Sequence, residues 1–305
     1  MRPDAQRVPK LLVTGSRGQV GFELRRSLAP LGEVIALDRT ACDLTQLDTL
    51  RRVLREHRPD VIVNSAAYTA VDKAESDART AFAINAAAVG VLAEEALTLG
   101  SLLVHYSTDY VFDGAKADAY LEDDATRPQS VYGQSKLAGE RAIAACGADA
   151  LVLRTSWVAG AQGSNFAKTI LRLACEREGL RVIADQFGAP TTAALIADVT
   201  AQIVGRFWLH SDRAAFPGGL YHLTASGETS WHGYASAVLR YAKARGVMLK
   251  VDPAAIEAIP STSYPLPAPR PTNSRLSTAK LTRTFGVHLP DWSQGIYFLL
   301  DQILS

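Results

Sequence analysis

The sequence predicts an α/β fold, a doubly wound parallel sheet followed by a smaller C-terminal α/β lobe. Three observations carry this. Apolar, strand-like runs alternate with helical stretches through the first half of the chain. A glycine-rich turn, Gly15-Ser16-Arg17-Gly18-Gln19-Val20-Gly21, follows the first run, and the second run ends in an acid, Asp38. Together these are the marks of a Rossmann-type nucleotide-binding unit.

The elements follow in order. Residues 10–14 read as a buried strand, residues 22–29 as a helix and residues 33–38 as the second strand. Residues 60–64 form a third strand, followed by Ser65-Ala66-Ala67-Tyr68-Thr69. A helix is expected over 78–99, a fourth strand over 102–107, a helix over 130–146 and a fifth strand over 151–155. After residue 157 the pattern loosens. Residues 165–177, 195–207 and 230–245 read as helical and 220–223 as a short strand. Residues 260–271 are rich in proline and fit neither a helix interior nor a central strand. The expected organisation is a disordered extension over 1–9 and an NAD(P)-binding Rossmann domain over 10–157. A mainly substrate-binding lobe covers 158–305, with some elements returning to the Rossmann core.

Composition narrows the class. The chain has 305 residues, enough for one large domain or one domain and a lobe. Its formal net charge is +1, which gives no field favouring nucleic acid or an anionic membrane surface. The three cysteines, Cys42, Cys146 and Cys175, are widely spaced and odd in number, so reduced thiols and a cytoplasmic location are expected. The start, residues 1–9, has no apolar core of a secretory signal, and no apolar run is expected to reach membrane-spanning length.

The glycine turn has a physical purpose. Gly15, Gly18 and Gly21 allow a tight turn, close backbone approach to a pyrophosphate and close helix–strand packing. The following helix offers free N–H groups to phosphate. The spacing is GxxGxxG rather than GxGxxG. Asp38 sits where a carboxylate accepts a ribose hydroxyl and repels a 2′-phosphate, while Arg39 and Arg17 suit that phosphate. NADPH and NADH therefore both remain open, as does a plain capping role for Asp38.

A second constellation lies at 105–136. Ser107-Thr108 ends the fourth strand, where open α/β sheets bind ligands, and Tyr132 and Lys136 share a helix face. A hydroxyl, a phenol and an ammonium in one crevice can protonate a carbonyl that is receiving hydride. A free tyrosine titrates near pH ~10. An ammonium about 4 Å away, at an effective dielectric of about 20, contributes at most ~4 kcal/mol. Lys136 is accordingly expected to bring the Tyr132 phenol down toward neutrality. The proline-rich loop is read as covering the substrate, with Arg270 and Arg275 reaching a diphosphate.

These motifs carry a family resemblance. The chain resembles the extended short-chain dehydrogenase/reductases and, within them, the dTDP-4-dehydrorhamnose reductase family. The likeness runs almost end to end. Matching segments are Asn64-Ser-Ala-Ala-Tyr-Thr-Ala-Val-Asp-Lys-Ala-Glu75, Ser107-Thr-Asp-Tyr-Val-Phe-Asp-Gly114 and Arg154-Thr-Ser-Trp157, and the narrower signals are Asp185-Gln-Phe-Gly-Ala-Pro-Thr191 and Arg270-Pro-Thr-Asn-Ser-Arg-Leu276. The resemblance implies NAD(P)H-dependent reduction of a nucleotide-linked 4-keto sugar in rhamnose donor synthesis, feeding glycans such as lipopolysaccharide O-antigen. It implies that Gly18, Gln19 and Val20 contact the cofactor diphosphate and Asp38 the adenosine ribose. Asp43 and Leu44 would flank the adenine, and Ala67, Tyr68 and Thr69 would line the groove. Thr108, Tyr132 and Lys136 match the catalytic set, and Asp109 and Trp157 match residues that meet the sugar nucleotide.

One departure bears on assembly. Some family members are dimers bridged by Mg²⁺ through glutamates. Glu23 matches, but the other matching positions hold Ala194 and Gln302, so no metal site is expected and the state is monomer or homodimer. The alternatives are a related nucleotide-sugar 4-epimerase or reductase, or a non-catalytic NADP-binding regulatory subunit. Dehydratases of this type carry Asp-Glu after the threonine, whereas here Asp109 precedes Tyr110.

Overall fold

The structure, a computed structural model, describes residues 7–305. Its strands are β1 (Lys10–Thr14), β2 (Glu33–Leu37), β3 (Val61–Asn64), β4 (Leu102–Thr108), β5 (Ala150–Thr155), β6 (Val158–Ala159), β7 (Arg181–Ile183), β8 (Phe187–Gly188), β9 (Thr191–Thr192), β10 (Gly219–His222), β11 (Thr229–Ser230) and β12 (Glu257–Ile259). The helices of the first half are α1 (Gln19–Leu28), α2 (Leu47–His57), α3 (Val71–Ala74), α4 (Ala78–Phe82), α5 (Ala88–Leu99) and α6 (Val131–Cys146). Those of the second half are α7 (Phe166–Glu176), α8 (Ala193–Ile203), α9 (Trp231–Ala244), α10 (Ala279–Phe285) and α11 (Trp292–Leu304).

The main sheet has six strands in the order β10-β5-β4-β3-β1-β2, all paired in parallel. A parallel sheet must be covered on both faces, and its strands are accordingly apolar throughout. Leu11, Val13, Val63 and Val104 pack against Leu24 and Leu28 of α1 and Ile196 and Ile203 of α8. Leu12, Ile62 and Leu103 pack against Leu50 and Leu54 of α2 and Leu92 and Ala96 of α5 on the other face. The chain leaves β1 for β2 on one side and comes back to β3 on the other. That reversal opens a crevice above the C-terminal ends of β1 and β3. β10 and α8, from the second half of the chain, complete the sheet and one of its layers. A separate core joins α7, α9 and α11 through Ile170, Val238, Leu239 and Leu300.

Several local readings change. α1 begins at Gln19, earlier than residue 22, because Gly18 is already extended and serves as the cap. α2 was not expected: its charged sequence hides Leu50, Val53 and Leu54, which are spaced for one buried face. α10 and α11 were likewise not expected, nor were the two-residue strands of the lobe. The expected helix over 78–99 is interrupted by a π-helical turn at Ala83–Ala87. Taken as one run, Ala78–Leu99 is 22 residues and apolar enough to cross a membrane, contrary to expectation. Its apolar residues are core instead, since Val91, Leu92 and Ala96 pack beneath the sheet. α8 runs on as a π-helical turn over Val204–Leu209. The expected disordered extension lies outside the described residues for 1–6. Arg7 pairs with Asp60 at 3.2 Å, and the Pro9 carbonyl accepts the Glu33 N–H at 2.8 Å.

Candidate active site

The crevice begins at the glycine turn. Gly15 has φ 66, and a Cβ there would lie 2.8 Å from Ala66 Cα. A Cβ on Gly21 would lie 2.2 Å from the Gly15 carbonyl oxygen, so α1 can approach β1 only without one. No side chain caps the first turn of α1, which leaves its N–H groups for an anion. Gln19 braces the turn from the far side, its Oε1 accepting from Gly160 N at 2.8 Å and Asn165 Nδ2 at 3.1 Å.

A groove of about 630 Å³ runs from this turn to α6. Gly15, Gly18, Gln19, Val20, Arg39, Asp43, Leu44, Ala67, Tyr68, Thr69, Tyr132 and Lys136 all line it. Apart from Asp38 and Thr108, the residues that the resemblance assigned to cofactor and to proton transfer therefore line one groove. Gly21 supports the turn from behind, and Asp38, Thr108, Asp109, Trp157, Arg270 and Arg275 are not part of the groove lining.

Sequence reasoning missed Asn64, Ser65, Tyr106, Thr155 and Gly163, which also line the groove, as does Ser107, which it placed at a ligand-binding strand end without a role. The signal available was their place at strand ends, since Asn64, Ser107 and Thr155 lie at the C-terminal ends of β3, β4 and β5. The Ser107 and Thr155 hydroxyls are buried without a hydrogen-bond partner in the protein, as are Ser156 Oγ and Asp109 Oδ2. Buried polar atoms left unpaired are costly, and two of these, on Ser107 and Thr155, belong to residues that line the groove.

At the outer end Asp38 is already engaged. Its Oδ1 accepts from the Thr40 and Ala41 N–H groups and its Oδ2 pairs with Arg17 Nε at 2.8 Å. The Ala41 hydrogen bond holds its carboxyl below the usual carboxylate range, with Arg17 adding to it. Arg39 pairs with Asp43 at 3.6 Å and is highly exposed.

At the inner end, Ser130 caps α6 through Gly133 N, and Gly133 and Gly139 let the helix press against Tyr110 and Asn85. Asn85, in the π-helical turn, holds the Tyr68 backbone from both sides and also donates to Ser135 Oγ, between Tyr132 and Lys136. Helix α6 and the groove wall are thus one hydrogen-bonded unit.

The expected lowering of the Tyr132 phenol by Lys136 is not what the structure gives. Burial pushes Tyr132 up to about 12, with Thr108 opposing. Lys136 Nζ donates to the Tyr106 carbonyl at 2.6 Å and lies 3.1 Å from His105 Nε2. Burial brings Lys136 down to about 8, against the pull of Glu140. Glu140 is itself gripped by Arg154 through two hydrogen bonds, of 2.9 and 2.6 Å. The Thr108 hydroxyl donates to Asp109 Oδ1 at 3.0 Å and accepts from Tyr110 N at 3.2 Å. Burial pushes the Asp109 carboxyl up to about 6.

Trp157 occupies the left-handed region, φ 48, with its ring stacked on Trp231 at 3.6 Å and against Gly188. The loop arginines are bound to protein. Arg270 pairs with Asp72 at 2.8 Å and donates to the Ala268 carbonyl. Arg275 donates to Asn273 Oδ1, the Ala117 carbonyl and Glu228. Glu23, Ala194 and Gln302 meet in a small cleft beside Phe298, and Glu23 pairs with Arg26. Among the described residues no three His, Cys, Asp or Glu side chains are grouped to hold a metal ion.

The family model described as RmlD substrate binding domain matches residues 9–305. The dTDP-4-dehydrorhamnose reductase of Burkholderia thailandensis is 50% identical over 296 residues, covering 97% of this chain and 99% of that protein. The dTDP-4-dehydrorhamnose reductase of Escherichia coli K12 is 48% identical over 299 residues, covering 97% of this chain and 98% of its own. Among solved structures, the dTDP-4-dehydrorhamnose reductase of Bacillus anthracis in complex with NADP superposes with a TM-score of 0.88 at 30% identity, over 97% of this chain and all of that one.

Proposed function

This chain belongs to the RmlD substrate binding domain family, with the dTDP-4-dehydrorhamnose reductases as its relatives, and from that premise we propose a role for each group in the crevice. The activity is NAD(P)H-dependent reduction of the 4-keto group of dTDP-4-dehydro-L-rhamnose to dTDP-L-rhamnose, the last step of dTDP-L-rhamnose biosynthesis. The observation that carries the assignment is that Tyr132 and Lys136 line the same groove as Gly15 and Gly18.

The nicotinamide, when bound, supplies the hydride. The glycine turn and the α1 N-terminus hold its diphosphate, and Asp43, Leu44 and Arg39 receive the adenosine end. Ala67, Tyr68 and Thr69, fixed through Asn85, form the facing wall. Tyr132 gives its phenolic proton to the oxygen at C4 as charge builds there, which is general acid catalysis. Lys136 holds a proton beside it. Thr108 and Asp109 act as a pair on the sugar, since the Thr108 hydroxyl already donates to Asp109. Trp157 offers its ring to the sugar nucleotide. Of the two loop arginines, Arg270 has the better claim on the diphosphate, because its charge reaches Tyr110, whose ring packs against Tyr132 at 5.5 Å. Arg275 braces the loop. The three cysteines are free thiols, which supports a cytoplasmic enzyme.

The direct test is NADPH and NADH oxidation with dTDP-4-dehydro-L-rhamnose made in situ. One equivalent of cofactor should be oxidised per dTDP-L-rhamnose formed. A folded, cofactor-binding protein that leaves the keto sugar untouched would overturn the reading.

A further inference from the structure

Behind Lys136 lies a line of polar side chains that the mechanism above does not use. Thr14, Asn64 and His105 are register partners across three adjacent strands, Thr14 opposite Asn64 and Asn64 opposite His105. All three are at most 1% exposed, and Lys136 is 2% exposed. Contacts run along the line: Thr14 Oγ1 to Asn64 Oδ1 at 2.6 Å, Asn64 Nδ2 to His105 Nδ1 at 3.0 Å, and His105 Nε2 to Lys136 Nζ at 3.1 Å.

The distances fix the direction of this chain. A separation of 2.6 Å suits O–H···O and is short for N–H···O. The Thr14 hydroxyl therefore donates to the Asn64 carbonyl oxygen, which turns the Asn64 amide nitrogen toward His105. An amide nitrogen only donates, so His105 Nδ1 accepts. A neutral imidazole that accepts at Nδ1 carries its proton on Nε2, and that N–H faces the lysine nitrogen. Burial and the neighbouring lysine both keep His105 well below its ordinary range, so a neutral ring is the form to consider.

We propose that His105 is a positioning residue for the reduction: locked by Asn64 and Thr14, it donates from Nε2 to Lys136 Nζ and so favours the lysine's neutral amine over its ammonium. The proposal rests on the roles given above to Tyr132 and Lys136. Other groups act on the same nitrogen. Glu140, on the same helix and held by Arg154 of β5, favours the ammonium. The Tyr106 carbonyl accepts from it in either form. Tyr132 lies one turn earlier on the helix, facing Thr108 at the end of β4 and Asp109 just after it. Burial already opposes Glu140, and the His105 N–H adds to it, leaving Lys136 able to release and regain a proton near neutral pH. Tyr132 gives up a proton in each turnover and must recover one, and a lysine fixed as a permanent cation is a poor supplier.

Two experiments test this. The first reads the ring directly in the wild-type enzyme, by ¹⁵N–¹H correlation of the histidine side chains at pH 9. The Nε2–H tautomer is expected for His105, and an Nδ1–H tautomer overturns the proposal. This reading does not depend on turnover, so it stands apart from the catalytic assignment. The second compares His105→Phe, which fills the space without a donor, with His105→Gln, whose amide nitrogen takes the place of Nε2. His105→Phe should move the alkaline limb of the kcat profile up by about one pH unit, the tenfold change expected for one hydrogen bond. It should lower kcat about tenfold at pH 7 with KM within about twofold, and His105→Gln should restore both. If folded His105→Phe keeps the wild-type limb, or if kcat and KM change together without rescue by His105→Gln, His105 is structural only.

Discussion

Arg17 Nε lies 2.8 Å from Asp38 Oδ2, so the acid that ends β2 is already paired with a cation beside the groove. Its other oxygen caps the Thr40 and Ala41 N–H groups. Asp38 thus builds the turn and tethers Arg17, which weakens its part as a bare repellent of a 2′-phosphate. The guanidinium that lines the groove at this end is that of Arg39.

Cofactor choice should follow that arrangement. Arg39→Ala should lower the ratio of kcat/KM for NADPH over NADH by about tenfold, because a guanidinium hydrogen bond to phosphate is lost. Asp38→Ala should raise the ratio, since it frees Arg17 and removes a like charge. Steady-state kinetics with both cofactors decides this. A ratio unmoved by either change would mean that the adenosine end lies elsewhere.

Tyr132→Phe keeps the ring against Tyr110 and removes the proton. General acid catalysis contributes roughly 10²–10⁴-fold, so kcat should fall by about that factor. Cofactor affinity, followed by fluorescence titration, should stay within about threefold. Near-wild-type turnover in the variant would remove Tyr132 from the mechanism.

Asp109 links pH to stability. Burial raises its carboxyl from 3.8 to about 6 in the folded protein. The folded form therefore holds its proton over a window where the unfolded chain has lost it, and stability falls as pH rises from about 4 to 6. The cost at pH 8 is about 3 kcal/mol. Asp109→Asn should accordingly raise Tm by several degrees at pH 8 and change it little at pH 4, while turnover falls if Asp109 holds the sugar. Calorimetric scans at the two pH values provide the check, and an equal Tm shift at both would mean that ionisation of Asp109 is not the cause.

Treatment with EDTA should leave both turnover and sedimentation coefficient unchanged. Glu23 is committed to Arg26, and its neighbours at the cleft, Ala194 and Gln302, carry no charge. A loss of mass or activity that Mg²⁺ restores would point to a metal bridge built from other residues.

What the sequence revealed was mostly local. The Gly15–Gly21 turn and the Tyr132–Lys136 pair are fixed by spacing within a single element, so both were legible, and both line the groove. The chain from Thr14 through Asn64 and His105 to Lys136 was not legible, because its members are 31 to 50 residues apart and meet only through strand register. α2 was missed for another reason: its arginines and glutamate dominate the sequence, while three buried residues set its face. The electrostatics of Tyr132 also escaped a pairwise estimate. A lysine four residues away was expected to govern it, but burial prevails, and the lysine is turned to Tyr106 and His105.

The two arginines of the 260–275 segment divide on their contacts, and Arg275 gives the sharper test. Its side chain joins three parts of the chain: Asn273 within its own segment, Ala117 in the loop after β4, and Glu228 before β11. Asn273 in turn donates to the Lys116 and Asp118 carbonyls, so the segment is sewn to the 116–118 loop at several points. Removing the guanidinium leaves Asn273 Oδ1 with only the Arg275 N–H and takes away the donor to the exposed Ala117 carbonyl. Hydrogen bonds to charged groups are worth about 1.5–3 kcal/mol each, less where solvent screens them as at Glu228. Arg275→Ala should therefore lower Tm by several degrees, with dTDP affinity by calorimetric titration reduced less than about threefold at a temperature where the variant is folded. Arg270→Lys should do the reverse: a charge beside Asp72 is kept, the planar fork is lost, and dTDP affinity drops about tenfold with little change in Tm. If instead Arg275→Ala weakens dTDP binding more than tenfold in folded protein, the diphosphate is held by Arg275 and the brace assignment fails.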